Sequence, residues 1–249
     1  MSIRKAPTDT PPMMELSAVH RIYRTGRRAE VTALDGVDLR ISDGEMVAVL
    51  GGPKSGTSTL LNILSCLDLP TAGRYRLGGT DVGRLSKRRR TKLRGRKVGF
   101  VFSSFDLMPE VTVQRNVELP MIYARQGTRR AVARQALRTV GLGGFYDDMP
   151  ADLLELQRQR ALIARALVND PTILFDDEPT GQLDQAGGEE VMALLRELNE
   201  SGRTVVFATH REEIAAHAHR IVELRDGRVV SDRPTGERQQ LRSARLRAV

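Results

Sequence analysis

The stretch LGGPKSGTSTLLNIL, residues 50–64, restricts the fold more than any other part of the chain. It follows the phosphate-binding loop pattern G-x-x-x-x-G-K-[ST] in all but one respect. Gly51, Gly56 and Ser58 hold the frame, but Thr57 stands where the lysine belongs, and a lysine occurs three residues early, at Lys54. The flanking residues give the loop its context. MVAVL (46–50) is a short apolar run suited to a buried strand, and STLLNILSCL (58–67) has helical spacing. A glycine loop between strand and helix turns backbone N–H groups and the positive end of a helix dipole toward one point, which suits phosphate oxygens. The Ser58 hydroxyl is placed to hold Mg2+ there.

The rest of the chain extends this beginning. MMELSAVHRIY and TALDGVDLRIS alternate like strands, DGE (43–45) is a turn, and GRYRLGGTDVGRL returns to strand and turn signals. KVGFVF (97–102) is a second buried-strand candidate. From Ser103 to about Leu167 the pattern is helical. TILFDDEPT (172–180) is a strand ending in acids, GEEVMALLRELNESG an amphipathic helix closed by glycine, and TVVFATH (204–210) another apolar strand. Strand, loop, helix, helical insert, then strand–helix–strand predict an α/β core with a largely parallel sheet.

Charge narrows the partners. The net charge is +8 and the isoelectric point near 10.2, with the densest basic blocks at KRRRTKLRGRK (87–97) and in the tail ERQQLRSARLRAV (237–249). Each is read as a solvated helix face or a loose tail. Aromatic residues make up 4% and there is no Trp, so stacking platforms for single-stranded nucleic acid are poorly supplied and no specific nucleic acid is expected. No apolar run approaches the ~18 residues of a membrane span. The polar start MSIRKAPTDTPP argues against secretion, and residues 1–12 are read as a disordered tail. One cysteine, Cys66, rules out an internal disulfide and suits a reducing cytoplasm.

Four features converge on one chemistry. The loop offers Gly51, Gly52, Lys54, Ser55, Gly56, Thr57, Ser58 and Thr59 to phosphates. ILFDDEP delivers Asp177, suited to a magnesium ligand, and Glu178, suited to a base that polarises water. His210 ends the next apolar strand, and Tyr23 is an aromatic able to stack on a base.

At these residues the chain resembles the ATP-binding subunit of an ABC transporter, most like the lipoprotein-release and macrolide-export branch. The resemblance covers about residues 14–232 and rests on TALDGVDLRISDGEMVAVLG, STLLNIL, DLPTAG, NVELPMIYA, QRALIARALVNDPTILFDDEPTGQLD and VVFATHREEIAAHAHRIVELRDGRVVSD. It implies a P-loop, RecA-like core with an antiparallel β-subdomain and an α-helical subdomain, the ABC ATPase fold. The expected ATP-binding domain spans 13–232, with the helical part at about 104–167 and a basic tail over 233–249. The resemblance also implies ATP and Mg2+ as ligands and a head-to-tail dimer, homo- or heteromeric, with ATP between the subunits. It implies a separate transmembrane permease as partner and a peripheral place on the cytoplasmic face of the plasma membrane, to which weak contact of the basic tail with anionic lipid is added. Tyr23 then resembles the adenine-stacking aromatic. Ser58 and Thr59 match the loop's Ser/Thr pair, Asp177 the magnesium-binding acid, Glu178 the catalytic glutamate, Asp184 the D-loop acid and His210 the switch histidine.

Three family positions are altered. Thr57 replaces the phosphate-loop lysine, Ser103 the Q-loop glutamine, and LLELQ (153–157) the signature LSGGQ. Loss of one preorganised contact of the lysine's kind costs about 10²–10³ in rate. Lys54 occupies a family glycine position elsewhere on the loop, and Pro53 removes one backbone donor. Leu154 deletes a hydroxyl, Glu155 sets a carboxylate toward a triphosphate, and Leu156 adds bulk. Impaired hydrolysis coupled to transport is therefore the first expectation. A nucleotide-binding regulatory subunit that hydrolyses nothing is the second, and a nucleic-acid-associated ATPase of the same family is a remote third.

Overall fold

Apolar runs of strand length end where Gly, Asp and Pro interrupt them, and this punctuation sets the element order. The computed structural model describes residues 12–25, 29–102, 107–123 and 129–236. In chain order these residues form β1 (Met14–Thr25), β2 (Ala29–Ile41), β3 (Met46–Leu50), α1 (Thr57–Leu64), β4 (Ala72–Leu77), β5 (Thr80–Asp81), α2 (Lys87–Lys97) and β6 (Val98–Val101). There follow α3 (Val113–Glu118), α4 (Arg129–Thr139), α5 (Glu155–Leu167), β7 (Ile173–Asp177), α6 (Gln185–Glu200), β8 (Thr204–Thr209), α7 (Glu212–Ala215), β9 (Arg220–Arg225) and β10 (Arg228–Pro234).

Two sheets result. One is antiparallel, in the order β2-β1-β4-β5; the other has the order β10-β9-β3-β8-β7-β6. In the second sheet β9, β3, β8, β7 and β6 run parallel and only β10 is antiparallel. All five residues of β3 are buried, as a central parallel strand covered on both faces requires. Its alternation sorts them. Met46, Ala48 and Leu50 join a core with α3–α6, while Val47 and Val49 join a core with α1 and the antiparallel sheet. Because β3, β7 and β8 are parallel, their C-terminal residues Leu50, Asp177 and Thr209 reach the same edge of the sheet, and the chain leaves all three there.

The expected largely parallel α/β core and antiparallel subdomain are both present. Several boundaries differ. The helix predicted over 58–67 is Thr57–Leu64; Cys66, at φ +61°, and the bond from Leu67 N–H to the Asn62 carbonyl end it early. KRRRTKLRGRK is helical along its whole length, as α2. Among the described residues the helical stretch 103–167 resolves into three α-helices, and β10 runs to Pro234, two residues into the expected tail. The β9–β10 hairpin was not assigned from the sequence, although Asp226-Gly227, both at positive φ, is a strong turn signal between alternating residues. The tails at 1–11 and 237–249, and Ser103, lie outside the described residues. Among the described residues no helix is long and apolar enough to cross a membrane.

Cys66 is fully buried, and burial pushes its thiol up to about 11. At pH 8 about a thousandth of it is thiolate, the reactive form. Iodoacetamide should therefore leave the folded protein unlabelled at pH 8 and label it stoichiometrically in guanidinium, read by intact mass.

Candidate functional site

The loop after β3 is shaped by steric need. Gly51 N–H donates to the Thr209 carbonyl at 3.0 Å, which pins the loop's start to β8. A Cβ on Gly51 would lie 2.5 Å from Ser55 Oγ and 2.7 Å from the Leu224 carbonyl oxygen, so only glycine fits. Ser55 N–H closes a turn onto the Gly52 carbonyl at 3.1 Å. Gly56 has φ +101°, and a Cβ there would meet the Ala33 carbonyl at 2.4 Å. Lys54 also adopts a left-handed backbone, φ +68°, which costs a lysine about 1–2 kcal/mol and a glycine almost nothing. Thr57 opens α1, and the bond from Leu60 N–H to the Gly56 carbonyl is its first. The N–H groups of Thr57, Ser58 and Thr59 thus have no partner inside the helix.

Acids arrive from β7. Asp177 is its last residue, and Oδ1 lies 3.4 Å from the Ser58 hydroxyl. One hydroxyl beside one carboxylate fits Mg2+, which keeps several waters and shares itself with a phosphate. Glu178, at φ +64°, interlocks with the end of β8. Its Oε1 accepts from His210 N–H at 3.1 Å and lies 2.8 Å from His210 Nδ1, and its Oε2 accepts from the Thr209 hydroxyl at 3.4 Å. Tyr23 comes from β1. Its hydroxyl donates to Asp68 at 2.9 Å, while the Arg21 guanidinium covers the ring at 4.3 Å and pairs with the same carboxylate at 2.8 Å.

These residues share one cavity of about 660 Å³, within the usual range for a small-molecule site. Tyr23, Gly51, Gly52 and Lys54 line it, as do Gly56, Thr57, Ser58 and Thr59, with Asp177, Glu178 and His210 completing the wall. Ser55 is the exception among the predicted residues. It is buried below the loop against an adjoining hollow of about 320 Å³, and its hydroxyl has no partner among the described residues.

LLELQ takes a different place. Leu154 is the N-cap of α5, 73% exposed, and supplies no side-chain cap; Gln157 Oε1 instead accepts from Leu154 N–H at 2.8 Å. Glu155 lines a second cleft of about 370 Å³, which also reaches Asp177 and Glu178. Leu156 packs against the core beside α5. Asp184 caps α6 through a 2.8 Å bond from Gly187 N–H.

Three residues that the sequence reading missed shape the site. Asp68 fixes Tyr23, and Thr209 holds Glu178. Asp176 is fully buried on β7 beneath Asp177, and neither carboxylate oxygen has a partner among the described residues. Burial first, then the neighbouring Asp177 and Glu178 charges, raise its carboxyl well above the usual range, which favours the protonated form in the folded state. The doubled acid in ILFDDEP was the available signal.

Residues 34–181 match the family model described as ABC transporter. The chain is 48% identical over 231 residues to the macrolide export ATP-binding/permease protein MacB of Sodalis glossinidius, covering 92% of this chain and 35% of that protein. It is 47% identical over 227 residues to MacB 1/2 of Paracoccus denitrificans, covering 90% and 34%. It thus spans about a third of the length of these relatives. Among solved structures it is similar to the dimeric ATP-binding cassette MJ0796 in a post-hydrolysis state bound to ADP and Pi. The two are 40% identical with a TM-score of 0.82, covering 89% of this chain and 98% of that one.

Proposed function

The chain belongs to the ABC transporter family, and from that premise we propose that it is an export-type ATP-binding subunit whose hydrolysis is impaired. The carrying observation is the shared cavity: N–H groups of α1 without a partner inside the helix, the Ser58–Asp177 pair and the Glu178–His210 pair face one volume. ATP lies there with adenine on Tyr23 and phosphates against the loop from Gly51 to Thr59. Ser58 and Asp177 hold Mg2+, which would neutralise phosphate charge. Glu178 orients water once His210 releases it. Two such subunits pair head to tail, so that the α5 N-terminus of one meets the phosphate loop of the other. They work with a transmembrane permease at the cytoplasmic face, as the joint ATP-binding/permease names of the relatives suggest.

A second reading, a nucleotide-binding regulatory subunit without turnover, is favoured by Thr57 and by the LLELQ cap, where Glu155 stands in the first turn of α5. Retained Glu178 and His210 favour the first. Turnover measured together with the permease separates the two readings.

Calorimetry tests the site itself. Tyr23→Ala should weaken ATP binding about tenfold by removing the stacking ring. Tyr23→Phe, which loses only the bond to Asp68, should retain most of the affinity. Equal affinity in all three proteins would place adenine elsewhere.

A further inference from the structure

Basic residues in this fold are generally answered by acids. Arg220 pairs with Glu45 and Asp232, Arg228 with Asp35, and Arg160 with Glu190. α2 is different. Eight of its eleven residues are lysine or arginine, none is acidic and none is buried. No ion pair joins any of them to an acid among the described residues, and their one side-chain hydrogen bond there, Arg94 Nη1 to the Cys66 carbonyl, is long at 3.5 Å.

The helix has a definite orientation. Arg90, Leu93 and Arg94 are half-buried, and Leu93 packs on the core beneath the antiparallel sheet. Arg88, Lys92 and Arg96, four residues apart, form a line on the opposite, exposed face, flanked by Arg89. This arrangement works against the helix. Like charges stand at i and i+4, cations fill the first turn where the dipole is positive, and Gly95 interrupts the interior. Among the described residues, the Ser86 hydroxyl, accepting from Arg89 N–H, is the one side-chain cap at the N-terminus. Folding alone gives no reason for such a concentration of charge at the outer edge beside β6.

We propose that α2 is an electrostatic docking face for a planar anionic phospholipid surface. Charge complementarity carries the attraction. The choice of lipid over nucleic acid rests on the function proposed above, and on the helix itself: it is convex and has no aromatic residue to stack on a base. Leu93 points inward, so nothing apolar is offered for insertion. Attachment is therefore by charge, reversible and screened by salt.

The test is co-sedimentation of the full chain, without nucleotide or permease, on vesicles of about 30% phosphatidylglycerol in phosphatidylcholine. Binding is expected at about 0.1 M NaCl, release at about 0.5 M, and none on pure phosphatidylcholine. Arg88→Gln, Lys92→Gln and Arg96→Gln together should lower vesicle affinity at least about tenfold while the melting temperature stays level or rises, because repulsion is relieved. Removing residues 237–249 should change affinity by less than about threefold. Unchanged binding by the triple variant, a loss that follows 237–249 instead, or a fall in its melting temperature would overturn the proposal. So would tighter retention on duplex DNA or RNA than on vesicles at equal salt. ATP calorimetry on the same variants keeps the nucleotide-site reading separate, since none of these residues lines the cavity.

Discussion

Thr57→Lys by itself is expected to tighten ATP binding by about ten- to a hundredfold, the worth of one charge-assisted contact, and to leave phosphate release near its starting rate. Thr57 is the first residue of α1 and lines the cavity, so a lysine there acts within its own subunit on phosphate charge already present in the ground state. In the head-to-tail pair proposed above, release needs the opposing α5 terminus as well. With Leu154, Glu155 and Leu156 in place, that terminus carries an exposed leucine and a carboxylate, which in the proposed pair would face the γ-phosphate. Adding Leu154→Ser, Glu155→Gly and Leu156→Gly should raise release by about 10²–10³ over Thr57→Lys, with gains far from additive. Leu154→Ser also supplies the missing N-cap, worth about 1 kcal/mol, which offsets part of what Leu156→Gly loses from the core. Steady-state phosphate release on the single, signature-only and combined variants decides. If Thr57→Lys alone matches the combined variant, LLELQ is a working signature and the opposed-site reading fails.

Asp176→Ala is expected to stabilise the protein by about 1–3 kcal/mol, the cost of a buried polar group left without a partner. For a chain of this size that is roughly 3–10 °C in melting temperature. Asp176 shares a face of β7 with Leu174 and stands in register between Val101 and Phe207, an apolar setting. Asp176→Asn keeps a polar group in the same place and should gain little. The effect depends on pH. The folded carboxyl holds its proton above the unfolded value near 4, so the folded state binds more protons and stability falls as pH rises from there. The advantage of Asp176→Ala should therefore widen with rising pH until the folded group ionises. Urea unfolding in EDTA at several pH values measures it; a less stable Ala variant would mean that the carboxyl is bonded in solution.

How far the site could be read from sequence depended on whether a residue's role follows from its neighbours in the chain. β3, β7 and β8 announced themselves as apolar runs, and parallel order then brought Ser58, Asp177, Glu178 and His210 to one edge. Asp68 was not legible, because its bond to Tyr23 spans 45 positions and joins β1 to the loop between α1 and β4. Nor was the burial of Asp176, since a run of three acids reads as a solvated turn until β6 and β8 cover its first member. The early end of α1 was hidden for a related reason: SCL continues a helical pattern, while Tyr75, from the other sheet, takes the Leu64 carbonyl for its hydroxyl. The β9–β10 hairpin, by contrast, carried its own signal in Asp226-Gly227, although it was not assigned from the sequence.

The left-handed backbone at Lys54 has a consequence for how such sites are found. A lysine does not choose φ +68°; the closure of Ser55 onto Gly52 and the anchoring of Gly51 to β8 impose it. The path of the loop is thus dictated by its surroundings and survives a change of side chain that does not suit it. Comparison by letters scores Lys54 and Thr57 as two departures. The curve of the main chain carries no letters, so a candidate phosphate loop of this kind is better sought by contour than by spelling.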